Sequence, residues 1–143
     1  GLSVLEHLIN GCSFLKEAQR VLRPNGHLII VTPNLSAWFN VVQLTLGRMP
    51  SSGPHPDSEI LIQKNNLIGS KKSNSHSIEG DTPSGRHLVV FTYRTLYDYL
   101  KLLGFRKVNA MAYGYYPFPA FMQRICEKLD PWHCHQLLFD CEV

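Results

Sequence analysis

The sequence predicts an α/β domain, a sandwich of helices around a largely parallel sheet. Three observations predict it. Helical and extended patterns alternate along the chain, in the order helix, strand, helix, polar insertion, helix, strand, helix, strand. The run His27 to Thr32 (HLIIVT) is short, continuous and β-branched, the pattern of a strand covered on both faces. A chain of 143 residues with 44% hydrophobic and 17% charged residues is one domain's worth, too apolar to be wholly disordered.

The first element is a helix over Cys12 to Leu22. Phe14, Leu15, Ala18, Val21 and Leu22 form one apolar stripe, and Lys16, Glu17, Gln19 and Arg20 take the other face. Arg23-Pro24-Asn25-Gly26 is a turn sequence, and the strand His27 to Thr32 follows it, closed by Pro33-Asn34. A second helix is expected from Ser36 to about Leu46. Its apolar residues leave little polar face, so it is either deeply buried or covers a pocket. Thr92 reads as the N-cap of a third helix carrying Leu96, Tyr99, Leu100 and Leu103, with Gly104 at its C′ position. Arg106 to Tyr113 reads as a strand. Phe118, Phe121, Met122, Ile125 and Leu129 mark a last helix, stopped by Asp130-Pro131, and His135 to Val143 reads as a final strand.

Pro50 to Arg86 differs in kind. Its 37 residues include eight Ser, four Gly and four Pro, a composition that predicts a mobile insertion rather than a packed element. Lys71-Lys72 within it reads as solvated. The formal net charge of +3, from 14 basic and 11 acidic residues, is too mild for a dedicated nucleic-acid binder. No window has the roughly 18 uninterrupted apolar residues of a membrane span. The start of the chain carries no signal-peptide pattern, and the cysteines at 12, 126, 134 and 141 form no Cys-x-x-Cys pair. Reduced thiols and an intracellular, cytoplasmic location are expected.

Three stretches carry a family resemblance. They are Val4-Leu5-Glu6-His7-Leu8 with the helix ending Leu22-Arg23-Pro24-Asn25-Gly26, then His27 to Asn34, then His87 with Phe91-Thr92, Leu96 and Gly104-Phe105. Together they resemble the C-terminal half of a class I S-adenosylmethionine-dependent methyltransferase. The sub-type they resemble is the methyltransferase type 11/12 group, which includes ubiquinone-biosynthesis O-methyltransferases. The resemblance spans residues 1–49 and 86–143. It implies a Rossmann-like sheet in a three-layer sandwich, of which residues 1–143 are a partial domain interrupted at 50–86. His27 to Thr32, Arg106 to Tyr113 and His135 to Val143 would be its fifth, sixth and seventh strands, the last antiparallel. The N-terminal strands would be missing, with the glycine-rich cofactor loop and the ribose-binding carboxylate; no Gly-x-Gly-x-Gly occurs in this sequence.

The implied activity is transfer of a methyl group from S-adenosylmethionine to a small-molecule acceptor. Two alternatives accompany it: an inactive pseudo-enzyme serving as an interaction module, and an RNA 2′-O-methyltransferase. By the resemblance, Ser3, Glu6 and His7 lie at the sheet's carboxyl edge, Ser3 beside the cofactor and Glu6 and His7 in the catalytic position. An imidazole at position 7 suits removal of an acceptor proton. The bland alternative is that Glu6 and His7 begin a helix and shape the pocket edge. Some members carry Glu-x-x-Glu-His there and bind a divalent metal with a downstream His. Here Ser3 replaces the first Glu, so no metal ligand is assigned, although His87 could stand as the downstream imidazole. Asn34 just past a strand end, Trp38, His87 and Tyr113 are candidates for the acceptor pocket, against turn and core packing as the alternative. His133-Cys134-His135 with Cys141 does not match common zinc spacings.

This reading makes one prediction. The 143-residue chain by itself binds S-adenosylmethionine weakly or not at all, and a micromolar or tighter dissociation constant by calorimetry would refute it.

Overall fold

A computed structural model of the chain describes residues 3–54 and 87–143. Residues 55–86 of the expected mobile insertion, with the Lys71-Lys72 pair, lie outside the described residues. Within them the elements come in the expected order. A 3-10 turn (Leu5–His7) leads to α1 (Gly11–Val21), β1 (His27–Pro33) and α2 (Trp38–Thr45). Then come α3 (Tyr93–Leu102), β2 (Lys107–Tyr113), α4 (Ala120–Leu129), a second 3-10 turn (Pro131–His133) and β3 (Gln136–Glu142).

Local chemistry explains the boundaries. The Asn10 side chain accepts from Ser13 N to cap α1, and Thr92 accepts from Thr95 N to cap α3. Gly104 ends α3 at φ +96, where an L side chain is strained. In the turn before β1, Asn25 takes φ +62 and Gly26 N donates to Arg23 O at 2.8 Å. A Cβ on Gly26 would lie 2.7 Å from that same oxygen, so the tight turn needs glycine.

The sheet order is β1-β3-β2, and both pairings are antiparallel. This corrects the expectation of a largely parallel sheet. The last strand enters between the other two, so β1 and β2 run the same way but never touch. The described residues add one parallel bridge, Asn34 to Phe91. The alternation rule survives because it reports connection lengths, whereas pairing depends on which strand fills the gap between β1 and β2.

Register places the core. Leu28, Cys141 and Val108 form one cross-strand row, Ile30, Phe139 and Ala110 the next, and Thr32, Leu137 and Ala112 the third. All three rows point to one face because side chains alternate along a strand. That face packs with Leu15 of α1, Leu96 and Leu100 of α3, Leu5 and Phe105. The opposite face is thinly covered: Ile29 and Met111 are exposed. The apolar run of β1 is thus buried on one face only, against the expected burial on both. Val21, assigned to the buried stripe of α1, is also exposed.

The second helix departs furthest from expectation. It buries its polar residues Asn40 and Gln43 and leaves Trp38, Val42 and Leu44 exposed. The first residues of the polar insertion fold back: Pro50 and Ser52 are buried, and Ser51 and Ser52 bond to α2. Asn40 Nδ2 donates to Ser52 Oγ at 2.7 Å and Ser52 N donates back to Asn40 Oδ1 at 3.2 Å. Gln43 makes the equivalent pair with Ser51. Hydrogen bonding to a folded-back segment, not hydrophobicity, sets the orientation of this helix.

All four cysteines are free thiols, and burial pushes Cys134 up to about 11 and Cys141 up to about 12. Among the described residues no helix is long and apolar enough to cross a membrane. Phe139, fully buried at the centre of the sheet, should dominate the core. Phe139→Ala is expected to cost about 3–5 kcal/mol in urea unfolding; a loss below about 1 kcal/mol would contradict this packing.

Candidate functional site

The site forms at the carboxyl ends of β1 and β2, where Pro33 and Tyr113 both pair with Gln136 at the start of β3. A cavity of about 310 Å³ opens there. The turn after Ser3 contributes Ser3, Glu6 and His7, and the sheet contributes Pro33 and Gln136 with the adjacent His135. Phe39, Ser51, Ser52 and His87 complete the wall.

Backbone bonds bring these distant segments together. Ser3 N donates to Val31 O at 2.9 Å, which seats the first residues beside β1. Glu6 O accepts from Leu88 N at 2.7 Å and from Val89 N at 3.2 Å. One carbonyl therefore fixes His87 beside the Glu6-His7 pair, and the two imidazole rings lie 5.0 Å apart. One potential ligand atom from each of Glu6, His7 and His87 lies within 4.8 Å of the others.

The side chains are oriented from behind. Glu6 is 1% exposed, and its Oε2 accepts from Thr32 Oγ1 at 3.2 Å. Its Oε1 is buried with no hydrogen-bond partner. His87 Nδ1 lies 2.6 Å from Ser52 O, an atom that only accepts. Nδ1 therefore carries a proton, donated to that carbonyl. Among the described residues Gln136 Oε1 is the other buried side-chain oxygen without a partner, and Gln136 lines the same cavity. Two buried acceptors at one cavity are costly unless a donor or a cation meets them there. The arrangement can therefore bind a cation or a donor-bearing ligand and can take up a proton on an imidazole.

Of the residues singled out by sequence, Ser3, Glu6, His7 and His87 line the cavity, whereas Asn34, Trp38 and Tyr113 do not. Asn34 is buried and gives its amide to Trp132 O at 2.8 Å and Cys134 O at 2.7 Å. Trp38 Nε1 donates to Tyr115 OH at 2.7 Å and to Asp130 Oδ2 at 3.2 Å, and its ring stacks on His133. Tyr113 is exposed at the end of β2. Burial and the Asp130 bond raise the Tyr115 pKa; in Asp130 burial opposes ionisation, but the bonds from Tyr115 and His133 outweigh it and hold the carboxyl low. Sequence reasoning missed Ser52, His135 and Gln136. The triplet His133-Cys134-His135 was the one visible signal, since the structure divides its imidazoles between Asp130 and the cavity.

Two predictions follow from this geometry. Burial lowers the His135 pKa below its ordinary 6.5. The unfolded chain then binds a proton that the folded chain resists, so this contribution to stability is present above pH 6.5 and is lost as the pH falls below it. Urea unfolding above and below that value should show the loss in the wild type and a flatter profile in His135→Gln. Separately, Glu6→Gln removes a buried carboxylate with an unmet oxygen. It should leave the ligand-free protein as stable as the wild type or raise its unfolding free energy by about 1 kcal/mol; a large loss would show that the carboxylate is already satisfied.

No family model and no curated protein matches the chain.

Proposed function

We propose that the chain is the acceptor side of an S-adenosylmethionine-dependent methyltransferase domain acting on a hydroxyl-bearing small molecule. The observation that carries this reading is the gathering of Glu6, His7 and His87 around one cavity at the carboxyl end of β1. Ligands of open α/β sheets bind beyond strand carboxyl ends. The strand order β1-β3-β2, with the last strand reversed between the other two, supports the same reading.

The sequence has no glycine-rich turn to hold the cofactor, so no step is assigned to cofactor-binding residues. The role of these residues is on the acceptor. His7 takes the hydroxyl proton, Glu6 Oε1 and Gln136 Oε1 receive hydrogen bonds from the acceptor, and the walls from Phe39 and Pro33 shield the site from water.

A second reading is favoured by the unmet Glu6 Oε1. Glu6, His7 and His87 make a carboxylate and two imidazoles, a donor set suited to a divalent transition metal. Thr32 behind the carboxylate and Ser52 O behind His87 are the outer partners that such ligands usually have. A cation held there would lower the pKa of an acceptor hydroxyl.

The test is transfer of labelled methyl from S-adenosylmethionine to hydroxyl-bearing small molecules by the protein carrying this chain. His7→Ala is expected to lower turnover by about 10²–10⁴-fold with little change in cofactor affinity. Absence of transfer, or a mutant that melts earlier yet turns over normally, rejects the proposal. Metal dependence is read on the same protein. Saturable Mn²⁺ or Zn²⁺ binding by calorimetry that disappears in His87→Ala would establish the second reading over the first.

A further inference from the structure

Helix α4 (Ala120–Leu129) joins the sheet system without burying a single residue. Its outer side carries Phe121, Ile125 and Leu129, which are 71%, 59% and 77% exposed. They recur every four residues and form one continuous stripe. The remaining strongly exposed side chains of its last two turns are Arg124 and Lys128. The acidic residues are turned inward. Glu127 accepts from Gly114 N at 2.8 Å, and Asp130 just past the helix is held by Tyr115 and His133. Exposed aromatic residues flank both ends, Tyr116 and Phe118 before the helix and Trp132 after it.

We infer that α4 is a docking surface for an anionic lipid bilayer, on which it lies flat with Phe121, Ile125 and Leu129 in the acyl boundary and Arg124 and Lys128 at the headgroups. An apolar stripe whose exposed charged neighbours on the helix, Arg124 and Lys128, are both cations, with aromatic rings at its ends, is the composition of an interfacial helix. The charge pattern selects the occupant. A second copy of the chain docking through the same face would bring Arg124 and Lys128 against their own counterparts, a like-charge juxtaposition. Among the described residues of this helix and its C-terminal stop, the inward turn of Glu127 and Asp130 leaves the exposed face without a carboxylate beside Arg124 and Lys128, and lipid phosphate and carboxylate supply one. The inference does not depend on the chemistry at the cavity, since none of these residues lines it.

Cosedimentation of the full chain with vesicles tests it. Binding is expected to phosphatidylcholine vesicles containing phosphatidylserine, to weaken with added salt, and to be slight with phosphatidylcholine alone. Arg124→Gln with Lys128→Gln should weaken binding about thirty-fold, from roughly 1 kcal/mol per basic residue at such a surface. Phe121→Ser with Ile125→Ser should abolish it. Neither pair touches the core, and circular dichroism on each variant verifies folding. Absence of binding to the anionic vesicles overturns the inference, as does binding that both variants retain. Concentration-dependent self-association of the wild type that Phe121→Ser with Ile125→Ser removes would assign the face to a second copy and overturn it equally.

Discussion

The arrangement depends on a buried pair of asparagines at the carboxyl end of β1. Asn34 donates to Trp132 O and Cys134 O and accepts from Ser36 N and Oγ. Asn40 donates to Asn34 O and to Ser52 Oγ. These bonds tie the end of β1, the start of α2, the residues before β3 and the folded-back Ser51-Ser52 segment to one another. Each amide left unmet in such a place would cost about 1–3 kcal/mol. The network is therefore either complete or expensive, and completing it forces the loops around the cavity into one arrangement.

The cavity inherits its precision from that network. Ser52 is held by Asn40, and its carbonyl fixes the proton of His87 on Nδ1. From the opposite side Glu6 O receives two amides from the segment after His87. His87, distant in sequence from the Glu6-His7 pair, is thus brought to it by main-chain bonds to Glu6 O and by its own side-chain bond to Ser52 O. Side chains aligned in this way lose little entropy when a ligand or a proton arrives, the usual property of a preorganised site. Among the described residues, Glu6 Oε1 and Gln136 Oε1 are the buried side-chain oxygens left without a partner.

Elsewhere the molecule holds its hydrophobic surface on the outside. The core occupies one face of the sheet, between Phe139 and the α1 and α3 leucines. On the other face Ile29 and Met111 are exposed, and α2 and α4 point Val42, Leu44, Phe121 and Leu129 outward. The two helices do so for different reasons. α2 is turned by the hydrogen bonds of Asn40 and Gln43, whereas α4 is tied to the loop before it by Glu127 on Gly114 N and Gln123 on Phe118 O.

The sequence by itself determined the elements. Helical spacing, the cap at Thr92, and the glycines at 26 and 104 are local physics, complete within a few residues, so the element order and most boundaries were legible. It also pointed to Ser3, Glu6, His7 and His87, through residue types and a resemblance. It did not determine the strand pairing, because an apolar run has the same composition whether its neighbour is parallel or antiparallel. Nor did it determine which face of α2 is buried, because hydrophobicity predicts burial only where no polar partner competes. Asn34, open in sequence between a pocket-facing and a turn role, is spent on two backbone carbonyls, while Gln136 and Ser52 carried no local signal at all. Those outcomes were decided by bonds between residues up to about a hundred positions apart, as with Asn34 and Cys134, and only the tertiary structure brings such partners together.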